Sequence, residues 1–272
     1  MKLAVSNIAW PAEQDAAAFA LLNELGVGWV EIAPGRIAPW DDLSPSRAAA
    51  YRRMLADNGL AVSSLQAIYF NTNDLSLMGD DAAFAKLRDH TLLVAETADA
   101  LGCRPGVFGA PGLKKRGEMP LDAANDLAAE RLSAIAQVIG QTGFELCLEP
   151  VPAYYGADFL LTVPEILEMV ERVGHPSIGL HLDVACVELG GGDIGEAIVL
   201  AGANRIRHFH ISEQDLGGFD RPERGHAQAS AALRSAGYDK AIAIEMKAPT
   251  QDWARNIKTA VAFARRTYDA EG

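Results

Sequence analysis

The chain reads as one (β/α)8 TIM barrel spanning residues 1–272, and three observations predict it. Its 272 residues fit the ~250 typical of that fold better than two ordinary domains, and no shift in composition marks a linker. Strand-like and helix-like stretches alternate eight times. Four apolar, β-prone runs in the second half, FELCLEP (144–150), IGLHLDV (178–184), IRHFHI (206–211) and AIAIEM (241–246), each finish on a side chain able to bind a metal or move a proton. Those side chains are Glu149, Asp183, His210 and Glu245, with intervals of 34 (149 to 183), 27 (183 to 210) and 35 (210 to 245). Each interval holds one strand, one helix and two loops.

Taken in order, residues 2–8 form the first strand and the Ala-rich stretch 12–25 the first amphipathic helix, stopped at Gly26. VGWVEI (27–32) is the second strand and closes on Glu31. Ser44-Pro45 supplies an N-cap and a first-turn proline for the next helix, which Asn58-Gly59 ends. Strand three covers 60–68 and a long helix 81–101. A weak fourth strand, 106–108, runs into the basic, Gly-rich loop GAPGLKKRG (109–117), and a helix follows over 121–141. Helices at 162–173, 194–203, 227–236 and 252–268 accompany the last four strands.

Side chains alternate faces along a strand, so the neighbours of the four end residues test whether those residues share a face. Leu146, Leu148, Leu180, Leu182, Phe209, Ile211, Ile242 and Ile244 form one oily face, suited to packing on helices. The other face carries Cys147, Gly179, His181, His208, Ala241 and Ala243 together with the four end residues. In a barrel that second face lines the interior, and active sites sit at the C-terminal strand ends. Any one of the four alone is ordinarily a cap or an ion-pair partner. Together they crowd three carboxylates at one point, which is costly unless a cation or a proton offsets them. Glu149, Asp183, His210 and Glu245 are therefore expected to hold one divalent metal. Oxygen-rich ligation with one imidazole suits Mn²⁺ or Mg²⁺ first, with Co²⁺ or Zn²⁺ as alternatives.

Composition narrows the function. A net charge of −12 argues against a nucleic-acid partner, and no apolar run is long enough to span a membrane. Three cysteines in no metal-finger spacing suggest reduced thiols, hence a soluble, cytoplasmic protein. No GxGxxG follows the first strand and no phosphate-loop lysine motif is present, so no nucleotide cofactor is expected. His181 and His208, two residues below ligand candidates, either orient the ligands or are satisfied interior histidines. Trp10, Trp40, Tyr69, Phe108, Tyr154 and Tyr155 fall at or just after strand ends, where flat aromatic walls suit a sugar's apolar face, although each alone is more often packing. Lys114, Lys115 and Arg116 either grip an anionic group over the barrel mouth or form a solvated loop.

The runs LEPVPAYYGADFLLT from Leu148, GLHLDVAC from Gly179, HFHISE from His208, IEMK from Ile244 and FGAPGLKKR from Phe108 resemble the sugar phosphate isomerase/epimerase family of xylose isomerase-like TIM barrels. The resemblance covers the chain in order, with specific matches in the last five strands. It implies one divalent metal on Glu149, Asp183, His210 and Glu245, the two glutamates also moving protons as in ketose 3-epimerases, and a loop role for Glu213. It further implies a small carbohydrate substrate, and a homodimer or homotetramer is compatible with it.

Departures fall on the substrate side. Cys186 stands where the epimerases place a substrate-binding His, Leu216 where they place an Arg, and Tyr155 where they place a Glu. Arg221 or Arg224 replaces the missing Arg only from a rearranged loop. The DNA-repair endonucleases of the superfamily need extra His ligands where this chain has Gln66 and Gly109. The expectation is a metal-dependent isomerase or epimerase working through an enediolate, with Glu149 and Glu245 as the acid/base pair. Free ketoses are expected to be poor substrates beside larger, acidic or modified keto-sugars. A metal-dependent lyase or dehydratase on a cyclic polyol or keto-inositol, and a non-catalytic sugar-binding barrel, are the alternatives.

Overall fold

The computed structural model describes residues 1–268; the last four residues of the expected 1–272 domain lie outside that range. Eight parallel strands close a barrel in sequence order, with β1 (Lys2–Ser6) pairing both β2 (Trp29–Ile32) and β8 (Ala241–Glu245). Between them run β3 (Ala61–Leu65), β4 (Pro105–Phe108), β5 (Glu145–Leu148), β6 (Ile178–Asp183) and β7 (Ile206–Ser212). The outer helices are α1 (Asp15–Glu24), α2 (Pro45–Asp57), α3 (Asp81–Leu101), α4 (Leu121–Ile139), α5 (Val163–Val173), α6 (Val184–Leu189), α7 (Ile194–Ala201), α8 (His226–Ser235) and α9 (Trp253–Tyr268). The expected (β/α)8 barrel is the observed fold. None of the described helices is long and apolar enough to cross a membrane, and all three cysteines are free and buried.

Local chemistry explains the element ends. Ser44 caps α2 by accepting from the Arg47 N–H, with Pro45 in the first turn. Asp80 caps α3, which then runs to a left-handed Gly102. Thr162 and Glu165 form a reciprocal capping box on α5. Most differences from expectation are strand ends trimmed by short 3₁₀ turns: β1 stops at Ser6 because residues 7–9 coil, and β3 stops at Leu65 because Ala67 takes a positive φ of 50°. Helix α6 was not expected. It starts directly at the end of β6, nucleated by Asp183, whose carboxylate accepts from the Cys186 N–H at 2.7 Å.

The eight oily-face residues of β5 to β8 are all fully buried against the helices, as their alternation requires. The inward face is polar at its upper end and tight at its lower end. There Gly179 on β6 leaves room for the stem of Arg207, which enters through a register shift between β6 and β7, while on the oily face Gly106 on β4, in register with Leu146, leaves room for the Phe144 ring. A methyl group at Gly106 would overlap Phe144 with no free space to relax into. Gly106→Ala should therefore destabilise the barrel by about 1–3 kcal/mol, read as a lowered urea midpoint at unchanged m-value.

Candidate active site

The strand ends converge as their spacing predicts. In the β6–β7 register Asp183 lies beside His210, and in the β7–β8 register Ser212 lies beside Glu245. Glu149 follows β5 immediately, and its carboxylate rests on Gly109, where any Cβ would collide with it. The glycine after β4 is thus a cradle for the carboxylate after β5.

His210 is held from behind by Glu31, a fully buried residue that the sequence reading placed at a strand end without a role. One carboxylate oxygen of Glu31 accepts from Ser64 Oγ at 2.8 Å, His208 Nε2 at 2.7 Å and His210 Nε2 at 3.0 Å. With Nε2 so committed, His210 turns Nδ1 toward the strand ends, 3.2 Å from Glu245 Oε2 and 3.6 Å from Asp183 Oδ2. Nδ1 makes no hydrogen bond there. A buried, oriented imidazole nitrogen surrounded by carboxylates is what a metal ligand with an outer carboxylate support looks like.

The electrostatics agree. Burial, then the neighbouring Asp183 and Glu245 carboxylates, push Glu149 up to about 8. Burial also raises Glu245, with the charges of Asp183 and Glu31 adding to it and His210 opposing. Burial would raise Asp183 too, but the His210 imidazole draws it below the usual carboxylate range. Burial disfavours charge on His210, yet the carboxylates of Glu31 and Glu245 outweigh it and hold its pKa well above that of free imidazole. Ionising these carboxylates together is therefore costly in the buried setting, and a divalent cation would offset that cost. The donor set fits such an ion. Glu149, Asp183 and His210 each offer an atom within 4.8 Å of the others, and His181 joins them; Glu245 stands beside His210, outside that group.

The remaining sequence candidates separate clearly. Tyr155, Cys186 and Glu213 line a cavity lobe of about 490 Å³ with Glu149, Asp183 and Glu245, and Leu216 lines it too. Tyr69 lines a second lobe of about 400 Å³, with Gln66, Asn71 and Thr72 on its wall. The lobes share Gly109, Pro111, Glu149 and Glu245. Tyr155 is fixed where its hydroxyl accepts from the Asp215 N–H at 2.9 Å. Asp215 and Leu216 both hold positive φ (57° and 56°), and the Leu216 carbonyl accepts from the Lys247 N–H.

Three expectations are corrected. Trp10 does not reach the cavity: it is 1% exposed, packs edge-on against Phe19 and donates its indole N–H to Asp15 at 2.7 Å, because the chain coils away after β1. Arg221 is exposed and lines neither lobe, while Arg224 spends its guanidinium on Gln214 at 2.8 Å. The basic loop divides between its readings: Lys115 is solvent-exposed, whereas Lys114 and Arg116 are turned to backbone oxygens. Lys114 is buried and donates to the Glu149 carbonyl at 2.8 Å and the Phe108 carbonyl at 3.3 Å; Arg116 donates to the Met119 carbonyl at 2.7 Å, and its backbone N–H to Asp158. These basic groups brace the loop over β4 and β5. Glu213 has a bracing role as well, accepting from the N–H groups of Glu223 and Arg224 and from His226 Nε2 at 2.8 Å.

Removing the Glu31 carboxylate should leave two buried imidazoles without an acceptor. Glu31→Ala is expected to cost about 3–5 kcal/mol, read as a fall in the chemical-denaturation midpoint.

The comparisons accord with this geometry. No curated protein matches the chain. Among solved structures, D-psicose 3-epimerase from Clostridium cellulolyticum H10 superposes with a TM-score of 0.82 at 16% identity, over 98% of this chain and 99% of that one. The 3-keto-D-glucoside 4-epimerase of E. coli gives 0.81 at 17% identity, over 98% and 99%. The IolI protein with a bound zinc atom gives 0.76 at 18% identity, over 99% and 98%. At these identities the likeness is one of fold. Residues 19–267 match the model of the xylose isomerase-like TIM barrel, and the chain, closed barrel and all, belongs to that family.

Proposed function

We propose that the chain is a divalent-metal-dependent sugar isomerase or epimerase that moves a proton on a keto-sugar derivative through an enediolate. The observation that carries this reading is the placement of Glu149 and Glu245. Glu149 is buried and Glu245 half-buried, and both belong to each of the two cavity lobes. A substrate lying across the lobes presents the carbon between its oxygens to both groups at once.

Glu149, Asp183 and His210 would hold the metal, with Glu245 beside His210 as the fourth ligand. The ion, when bound, supplies Lewis-acid polarisation of the carbonyl and stabilises the charge of the enediolate. One glutamate takes the carbon-bound proton and the other returns a proton on the opposite face, which inverts the centre. Ser212, Asp183 and the Glu31 network hold the geometry, since the Ser212 Oγ also accepts from the Ala185 N–H at 3.1 Å. Structural similarity to sugar epimerases and to a zinc-binding barrel supports this reading, as does the offset the crowded carboxylates require.

The substrate follows from the lobe walls. The three departures from the epimerase pattern, Tyr155, Cys186 and Leu216, all line one lobe. A thiol and an isobutyl group cannot hydrogen-bond sugar hydroxyls as an imidazole and a guanidinium do. Two lobes flanking the glutamates suit a ring extended by a further group, such as a keto-glycoside. With Lys114 and Arg116 committed to the backbone, and Lys115 exposed and lining neither lobe, a phosphate or acid group in the cavity loses the support the basic loop offered.

Four outcomes test this. Chelation by EDTA should abolish turnover, and Mn²⁺ or Zn²⁺ should restore it. Glu245→Gln, with metal content verified, should lower kcat by about 10²-fold or more, the range of a lost general acid/base. In D₂O, solvent deuterium should appear at one substrate carbon without loss of mass as water; dehydration in place of labelling would assign the chain to the lyases. The ratio of kcat/KM for keto-glycosides to that for fructose, psicose and tagatose should exceed one, and efficient epimerisation of the free ketoses would overturn the substrate assignment.

A further inference from the structure

The buried group that the barrel brings within 4.8 Å is Glu149, His181, Asp183 and His210, which differs from the four strand-end residues by one member. His181 is fully buried, and neither of its ring nitrogens has a hydrogen-bond partner. Among the described buried histidines it is alone in this: His208 and His210 both reach Glu31, and His226 reaches Glu213 and Tyr268. An unmet buried polar group costs about 1–3 kcal/mol, so a ring with two of them calls for a partner that the protein itself does not supply.

Its placement says what that partner is. His181 pairs with His208 in the β6–β7 register, two residues below Asp183 on the inward face. Its ring lies on His208 at 5.2 Å and edge-on to His210 at 4.2 Å, which fixes its plane. Nε2 then faces the Glu149 carboxylate at 3.9 Å, too far for a hydrogen bond. Two atoms each about 2.0–2.2 Å from one ion can be up to ~4 Å apart, so the spacing admits a shared ion.

We infer that His181 is a further protein ligand of the divalent cation, entering from the barrel interior beneath Glu149, Asp183 and His210; the inference rests on the metal-dependent reading above. Two imidazoles in the ligand set favour Zn²⁺, Co²⁺ or Mn²⁺ over Mg²⁺. Cation affinity then leans on His181, and Glu245, outside the buried group, is left freer to exchange a proton with substrate.

X-ray absorption of the wild-type protein loaded with one equivalent of Zn²⁺ tests this directly, because imidazole rings give countable multiple scattering. Two imidazoles are expected. One imidazole overturns the inference and leaves the metal-dependent reading standing, whereas failure to bind Zn²⁺ stoichiometrically overturns both. As a second arm, His181→Phe preserves the ring packing. In chelator competition it should weaken Zn²⁺ binding by more than ~100-fold, beyond the 10–100-fold carried by an outer support residue, and by more than Glu245→Gln does. Wild-type affinity in folded His181→Phe overturns the inference; if that variant does not fold, the wild-type imidazole count decides.

Discussion

A single carboxylate oxygen of Glu31, buried on β2, accepts from Ser64, His208 and His210, and the orientation of the whole site depends on it. Burial alone would raise the Glu31 pKa, but the charge of His210 and the hydrogen bonds from both imidazoles hold it well below the usual carboxylate range. It therefore remains an acceptor. By occupying Nε2 of His210 it leaves Nδ1 as the nitrogen that meets Asp183 and Glu245. In a low-dielectric interior such a constraint is strong, because turning the His210 ring away would cost it the Glu31 acceptor.

Around that fixed point the barrel separates rigidity from variation. Glu149, Asp183, His210 and Glu245, the candidate ligands and proton-transfer groups, stand on strands or one residue beyond them. Tyr155 and Leu216, which line the cavity, stand on loops braced by their own polar contacts. Lys114 ties the β4 and β5 ends together through two carbonyls, and Glu213 gathers three donors from the segment leading into α8. Loops held this firmly carry Tyr155 and Leu216 into the cavity wall, and α6 carries Cys186 there.

The charges in these braces bear on substrate choice as well. A basic loop beside an active site invites the reading of an anion grip, yet Lys114 is desolvated and aimed at backbone oxygens. Among the residues lining the larger lobe, Lys247 is the remaining cation, and it stands with Glu213 and Asp215 on the same wall. The lobe is acidic in sum, which favours neutral, hydroxyl-rich substrates over anionic ones.

The linear pattern determined the barrel and the point where its strands converge, because both follow from short-range periodicity. Alternation assigned faces, and intervals of 27 to 35 residues between ligand candidates admitted one crossover each. Asp183 and His210 were legible because they end apolar runs and share a face. Contacts across the barrel were not legible. Glu31 meets His210 at a separation of 179 residues, and nothing near either residue encodes that pairing. Trp10 was indistinguishable from a sugar-stacking wall until the turn after β1 sent it into the core, and Lys114 looked like any loop lysine until the fold buried it. The imidazole count at the site belongs to the same class. His181 lies two residues below Asp183 in the sequence, but that its nitrogens lack partners and face Glu149 depends on strand register and closure, which only the tertiary structure decides.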